Sequence, residues 1–92
     1  MLFRNTIRFT FNAESLKRHR VSEEECFEVI MNPLSKYVDE AASNRGNPRR
    51  LYVGFTLNIR LLEVGVEYMP NDRWHVYHAK RANAHNRRKV GL

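Results

Sequence analysis

Ninety-two residues, 42% of them apolar and 28% charged, suffice for one soluble domain, 1–92, and leave no room for a second. No apolar run approaches the roughly 20 residues of a membrane span, and the opening MLFRNTIRF, broken by Arg4, Asn5 and Arg8, lacks the continuous apolar centre of a signal peptide. The formal charge of +6 is unevenly placed: Met1–Asp72 balances ten Lys/Arg against ten Asp/Glu, so the excess belongs to Arg73–Leu92, which has no acid and three of the four histidines. A neutral body with a basic end is the electrostatic footprint expected of a protein that meets a polyanion.

In chain order, Ile7, Phe9 and Phe11 alternate with Arg8 and Thr10, the period of a strand buried on one face. Asn12 is a good N-cap for a short helix over Ala13–His19, with Leu16 as its apolar anchor. Ser22 and Glu25 have the spacing of a capping box, and Cys26, Phe27, Val29, Ile30 and Met31 give the helix that follows an apolar face until Asn32-Pro33 stops it. Cys26 can form no internal disulfide, which fits a reducing cytoplasm, and its place on an apolar face marks it as packing. Leu34–Asp39 is a short extended segment, and Glu40–Pro48 a loop rich in Asn, Ser, Gly and Pro. Arg50–Thr56, Arg60–Tyr68 and Trp74–Lys80 read as three strands of an antiparallel meander. The last places Trp74 and Val76 on one face and His75, Tyr77 and Ala79 on the other. Arg81–Lys89 closes the chain as a helix with almost no apolar stripe, so its purpose lies outside the core. Strand, two helices, three antiparallel strands and a helix (β-α-α-β-β-β-α) make an α+β domain.

No metal or phosphate-loop signature accompanies these elements. His75 and His78, three apart on a strand, fall on opposite faces, and a single cysteine leaves too few ligands for zinc. The glycines are scattered, so no phosphate-binding loop exists and no cofactor is implied. What remains is a set of cations and imidazoles: His19, Arg50, His75, His78, Lys80, Arg81, His85, Arg87, Arg88 and Lys89. Cleavage of a phosphodiester by its own 2′-hydroxyl needs no metal. It needs a group to take the hydroxyl proton, one to protonate the leaving oxygen, and cations for the pentavalent phosphate. Histidine and arginine supply these roles.

Three motifs in order resemble the BrnT family of type II toxins over about Ile7–Lys89. Lys17-Arg18-His19-Arg20-Val21-Ser22 is similar to that family's Lys-His-Gly-Val/Ile-Ser turn between two helices. Arg50 with Tyr52-Val53-Gly54 is similar to its Arg-x-x-x-Gly strand, and Ala79-Lys80-Arg81-Ala82 followed by Arg87-Arg88 to its Ala-Arg-Arg-Ala…Glu-Arg-Arg ending. The chain departs by carrying Phe11-Asn12 for Trp-Asp, Arg20 for Gly, His78 for Ser, Asn86 for Glu and Val90 for Tyr. The resemblance implies a RelE-like fold and a metal-independent endoribonuclease that cleaves mRNA and so inhibits translation. It implies as partners RNA and a DNA-binding antitoxin, of the ribbon-helix-helix type, within a toxin–antitoxin complex. On that reading Lys80, Arg81 and Arg88 bind the phosphate and its transition-state charge, and His19 or His78 transfers protons. Arg50, Arg87, Lys89 and His85 contact the substrate. Two rivals use the same basic segment: a non-catalytic nucleic-acid-binding module, and an interaction protein whose tail docks an acidic partner.

Overall fold

The computed structural model describes residues 7–92; most of the opening stretch that argued against a signal peptide lies outside them. The elements are β1 (Arg8–Phe11), α1 (Ala13–His19), α2 (Glu23–Met31), β2 (Lys36–Glu40), β3 (Arg49–Phe55), β4 (Leu61–Met69), β5 (Arg73–Arg81) and α3 (Ala84–Lys89). The strands form one sheet in the order β1-β5-β4-β3-β2. β2 to β5 are an antiparallel meander, its last three strands those expected from the sequence, and β1 lies parallel to β5 at one edge. None of the described helices is long and apolar enough to cross a membrane.

The α+β class therefore holds, with two amendments. The extended segment after Pro33 is a fifth strand, β2, paired along Lys36–Glu40 with Val53–Arg49. The sheet is also mixed, because α1 and α2 carry the chain from β1 at one edge to β2 at the other, and β1 pairs with β5 in parallel. The closing helix is shorter than Arg81–Lys89: Arg81 still pairs with Leu62, and the helix starts only where the Asn83 side chain accepts from the Asn86 N–H at 2.7 Å.

The other caps follow the sequence. Asn12 accepts from the Ser15 N–H, and Ser22 and Glu25 form the reciprocal capping box. α1 ends on Arg20 in the left-handed region at φ 54°, its N–H reaching the Leu16 and Lys17 carbonyls. That region costs a residue with a Cβ on the order of 1 kcal/mol, so glycine is the usual occupant of such a cap.

Leu16, Val21, Cys26, Val29 and Ile30 of the helical layer pack on Tyr52, Leu62, Val64, Val66, Val76 and Ala79 of the sheet, with Phe9, Phe11, Tyr68 and Trp74 around the margin. Burial pushes the Cys26 thiol up to about 12, with Glu25 and Glu23 adding to the effect, so it remains a packing residue. Val64 is fully buried while Arg88 is exposed. Val64→Ala should accordingly cost about 1–3 kcal/mol in urea unfolding, against less than about 0.5 kcal/mol for Arg88→Ala. The reverse order would place α3 in the core.

One irregularity decides which side chains share the second face. Gly65 pairs with His78 but its neighbour Val66 pairs with Val76, so Tyr77 is an extra residue in a β-bulge. The bulge resets the alternation of β5. Ala79 joins the core beside Val64 and does not share a face with His75, while His75 and His78, opposite Glu67 and Gly65, lie on the same face despite their spacing. Tyr77 is accommodated because position 65 lacks a side chain: a Cβ there would stand 2.5 Å from the tyrosine Cζ.

Candidate functional site

Glu63 sits in β4 between Leu62 and Val64, whose side chains fill the core, so its own carboxylate points to the opposite face. It is only 2% exposed, and a buried carboxylate requires donors. It has three: His78 Nε2 at 2.7 Å, the Asn83 N–H at 2.9 Å and Asn86 Nδ2 at 2.9 Å. Burial on its own would raise its pKa, yet the bonds from His78, Asn83 and Asn86 hold it well below the ordinary carboxylate value, at about 2. Glu63 is thus ionised and can only accept. The His78 nitrogen facing it carries the proton, and in the neutral ring Nδ1 is left with a free lone pair.

The His78 side chain is 32% exposed. It opens on a cleft of about 270 Å³ at the end of β1, lined also by Asn12, Glu14, Ser15, Arg18, His19 and Tyr77. His19 belongs to the last turn of α1, and its ring centroid is 6.5 Å from that of His78. The two histidines selected from sequence, 59 positions apart, therefore face one another because α1 crosses back over β5 immediately after β1 ends. Arg18 borders the cleft and pairs with Glu14 at 3.0 Å, both side chains largely exposed, so the pair is weak.

The remaining sequence candidates divide. Lys80 is opposite Glu63 on the same sheet face as His78 and makes no ion pair among the described residues. Arg81 and Arg87 line a separate cleft of about 300 Å³ with Arg60, whose guanidinium is held at 2.9 and 2.8 Å by the two Glu25 oxygens. His85 and Arg88 are exposed on α3, and Lys89 reaches Glu40 at 3.5 Å. Arg50 is not part of this grouping. It shares the core-helix face with Tyr52, its guanidinium lying 3.9 Å from the Tyr37 ring centroid and pairing with Asp39 at 3.3 Å.

Sequence reasoning passed over Glu63. It also passed over Asn86, seen only as a departure from a glutamate, and over a second acid, Glu67. Glu67 is 3% exposed and accepts from Arg45 Nη2 and Asn47 Nδ2, each at 2.8 Å. Burial would raise its pKa, but Asn47, Ser43 and Arg45 together hold it at about 2. Arg45, Arg49, Glu67 and Tyr77 line a cleft of about 290 Å³ beside the first. Nearby, a 2.7 Å hydrogen bond joins His75 Nδ1 to Thr10 Oγ1. Burial pushes His75 below the ordinary histidine value against the pull of Glu67, with Arg73 and Arg45 adding to the push. The available signal was an acid at every fourth position of a valine-rich strand, Glu63 and Glu67, where solvent exposure alone would explain both.

Chemically, the first cleft offers an oriented imidazole base, a second imidazole facing it, and neighbouring cations. Among the described residues no group of three His, Cys, Asp or Glu could hold a metal ion. No protein-family profile matches the chain, and no curated protein matches it significantly.

Proposed function

We propose that the protein is a metal-independent endoribonuclease, the toxin of a BrnT-like toxin–antitoxin pair acting on mRNA in the cytoplasm. The observation that carries this reading is the His19–His78 pair across one cleft, with His78 oriented by the buried, ionised Glu63. His78 Nδ1 removes the proton of a ribose 2′-hydroxyl, and the freed oxygen attacks the adjacent phosphorus. The bond from phosphorus to the 5′-oxygen breaks, and His19, protonated, gives its proton to that leaving oxygen. The products are a 2′,3′-cyclic phosphate and a 5′-hydroxyl end. Lys80, with Arg18 at the rim, answers the charge that builds on the phosphate oxygens. The left-handed cap at Arg20 also supports the resemblance, because that position corresponds to the glycine of the related turn.

A protein that frees 2′-hydroxyl chemistry in its own cytoplasm requires a neutralising partner. The resemblance points to a ribbon-helix-helix antitoxin, whose acidic groups would find Lys80, Arg81, Arg87 and Arg88 without an ion pair among the described residues. The deciding experiment is cleavage of a synthetic RNA in EDTA, with end-group analysis of the products. Cyclic phosphate termini from wild-type protein are the expected result. Binding whose affinity falls with salt but without turnover would identify a non-catalytic nucleic-acid module; neither binding nor cleavage would leave an interaction protein.

A further inference from the structure

Tyr77 is the residue the bulge adds to β5, and its ring is the wall shared by two clefts. On one side stand His19 and His78, the latter with its ring centroid 6.4 Å from that of Tyr77. On the other stand Arg45 and Arg49, with the Arg49 guanidinium carbon 5.1 Å from the Tyr77 centroid. The core does not need this arrangement: the bulge interrupts the ladder, and the ring is seated on the one β4 position, Gly65, that offers no side chain to pack.

The charges of the second cleft are unequally committed. The two Glu67 oxygens are taken by Arg45 and Asn47. Glu40, the other acid on this side, is met by Lys89. Arg49, flanked across the sheet by Glu40 and Glu67, makes no ion pair among the described residues: its Nε donates to the Ala41 carbonyl at 2.6 Å and its guanidinium carbon lies 5.1 Å from the Tyr77 centroid, with no hydrogen bond from its terminal nitrogens among those residues. A guanidinium fixed at one end by a carbonyl and a ring has little freedom left to lose on gripping a planar oxyanion. Burial raises the Tyr77 pKa against the pull of Arg49, so its hydroxyl stays protonated and able to donate.

We propose that the Arg45–Arg49 cleft is a second phosphate subsite, which binds the phosphate adjoining the one cleaved, with Tyr77 as the ridge between the two. The inference rests on taking the His19–His78 cleft as the scissile position. It makes the enzyme a reader of chain length: a dinucleotide fills the first cleft only, and one further phosphate engages Arg49.

The test compares a 2′-deoxy dinucleotide and a 2′-deoxy trinucleotide, which bind without being cut, and the corresponding ribonucleotides as substrates. The added phosphate should tighten binding to wild-type protein about ten-fold, as one charge-assisted contact allows, and raise kcat/KM for cleavage similarly. Arg49→Gln should erase that gain while leaving dinucleotide binding and cleavage unchanged, Arg49→Lys should recover part of it, and Arg45→Gln should give a smaller loss. A trinucleotide that binds wild type no better than the dinucleotide overturns the subsite. So does an Arg49→Gln variant that weakens both ligands equally. If the phosphate gain appears in binding but neither ribonucleotide is cut, the subsite stands and the nucleolytic reading falls.

Discussion

Replacing His78 with alanine should lower RNA cleavage by about 10²- to 10⁴-fold, the usual contribution of a positioned proton-transfer group. Binding of a 2′-deoxy oligonucleotide should be little changed, because the cations that hold the phosphate remain. The effect has to appear in kcat. His78 is not free to orient itself: the ionised Glu63 accepts from Nε2 at 2.7 Å and so fixes which nitrogen is left to act as base. Glu63→Gln tests that positioning role separately, since an amide can turn its NH₂ toward the ring and favour the wrong tautomer. It should reduce kcat with KM nearly constant, whereas simple unfolding would remove binding as well. His19 has its own signature. On the proposed mechanism His19 is the acid that protonates the leaving oxygen, and it should become dispensable when the 5′-oxygen is replaced by sulfur, a leaving group that needs no proton. His19→Ala should thus cleave the 5′-thio substrate nearly as fast as wild type while failing on the ordinary one. Equal failure on both substrates would remove His19 from the role of acid.

The elements were legible in the sequence because each rests on a local rule. Capping residues announce α1 and α2, and alternating valines and leucines announce β3 and β4. The chemistry was less legible, because it depends on long-range pairing. A count of two along an ideal strand assigns His75 and His78 to opposite faces, and the bulge at Tyr77 reverses that result. The bulge is set by the fit of Tyr77 over Gly65, two residues 12 positions apart, and no window around either reveals it. His19 and His78 could be chosen as proton-transfer groups from residue type. Their meeting depends on β1 adding in parallel beside β5, which the alternation of Ile7–Phe11 does not specify. Glu63 was hidden for a further reason: an acid in a strand ordinarily faces solvent, and only the return of α3 over this face buries it. Arg50 shows the opposite failure. A cation in a promising motif is committed instead to Tyr37 and Asp39 on the other side of the sheet.

The largest stability effect should come from Glu63 as well. Glu63→Leu preserves bulk but leaves the Asn83 N–H, the Asn86 amide and His78 Nε2 facing an apolar group, and each hydrogen bond to a charged acceptor that is lost costs about 1.5–3 kcal/mol. α3 is anchored to the sheet largely through that carboxylate, having no buried residue of its own, so it should be the first segment to lose protection from hydrogen exchange. The same bond set predicts the response to acid. A carboxyl whose folded pKa lies below its unfolded value stabilises the protein above the unfolded value, and that stability is lost as pH falls toward the folded one. For Glu63 the window runs from 4.5 down to about 2, and at about 1.4 kcal/mol per pH unit the loss is on the order of 3 kcal/mol. Glu67, depressed in the same direction, loses stability in the same window. Urea unfolding should therefore show a shallow loss that begins just below the ordinary histidine value, where His75 is held neutral by burial, and a steep decline below about pH 5 as the two acids titrate. Glu63→Gln, less stable at neutral pH, should decline less steeply because only Glu67 of the two buried acids still titrates. Parallel curves for wild type and Glu63→Gln would mean that the carboxylate is not held by its three donors in solution.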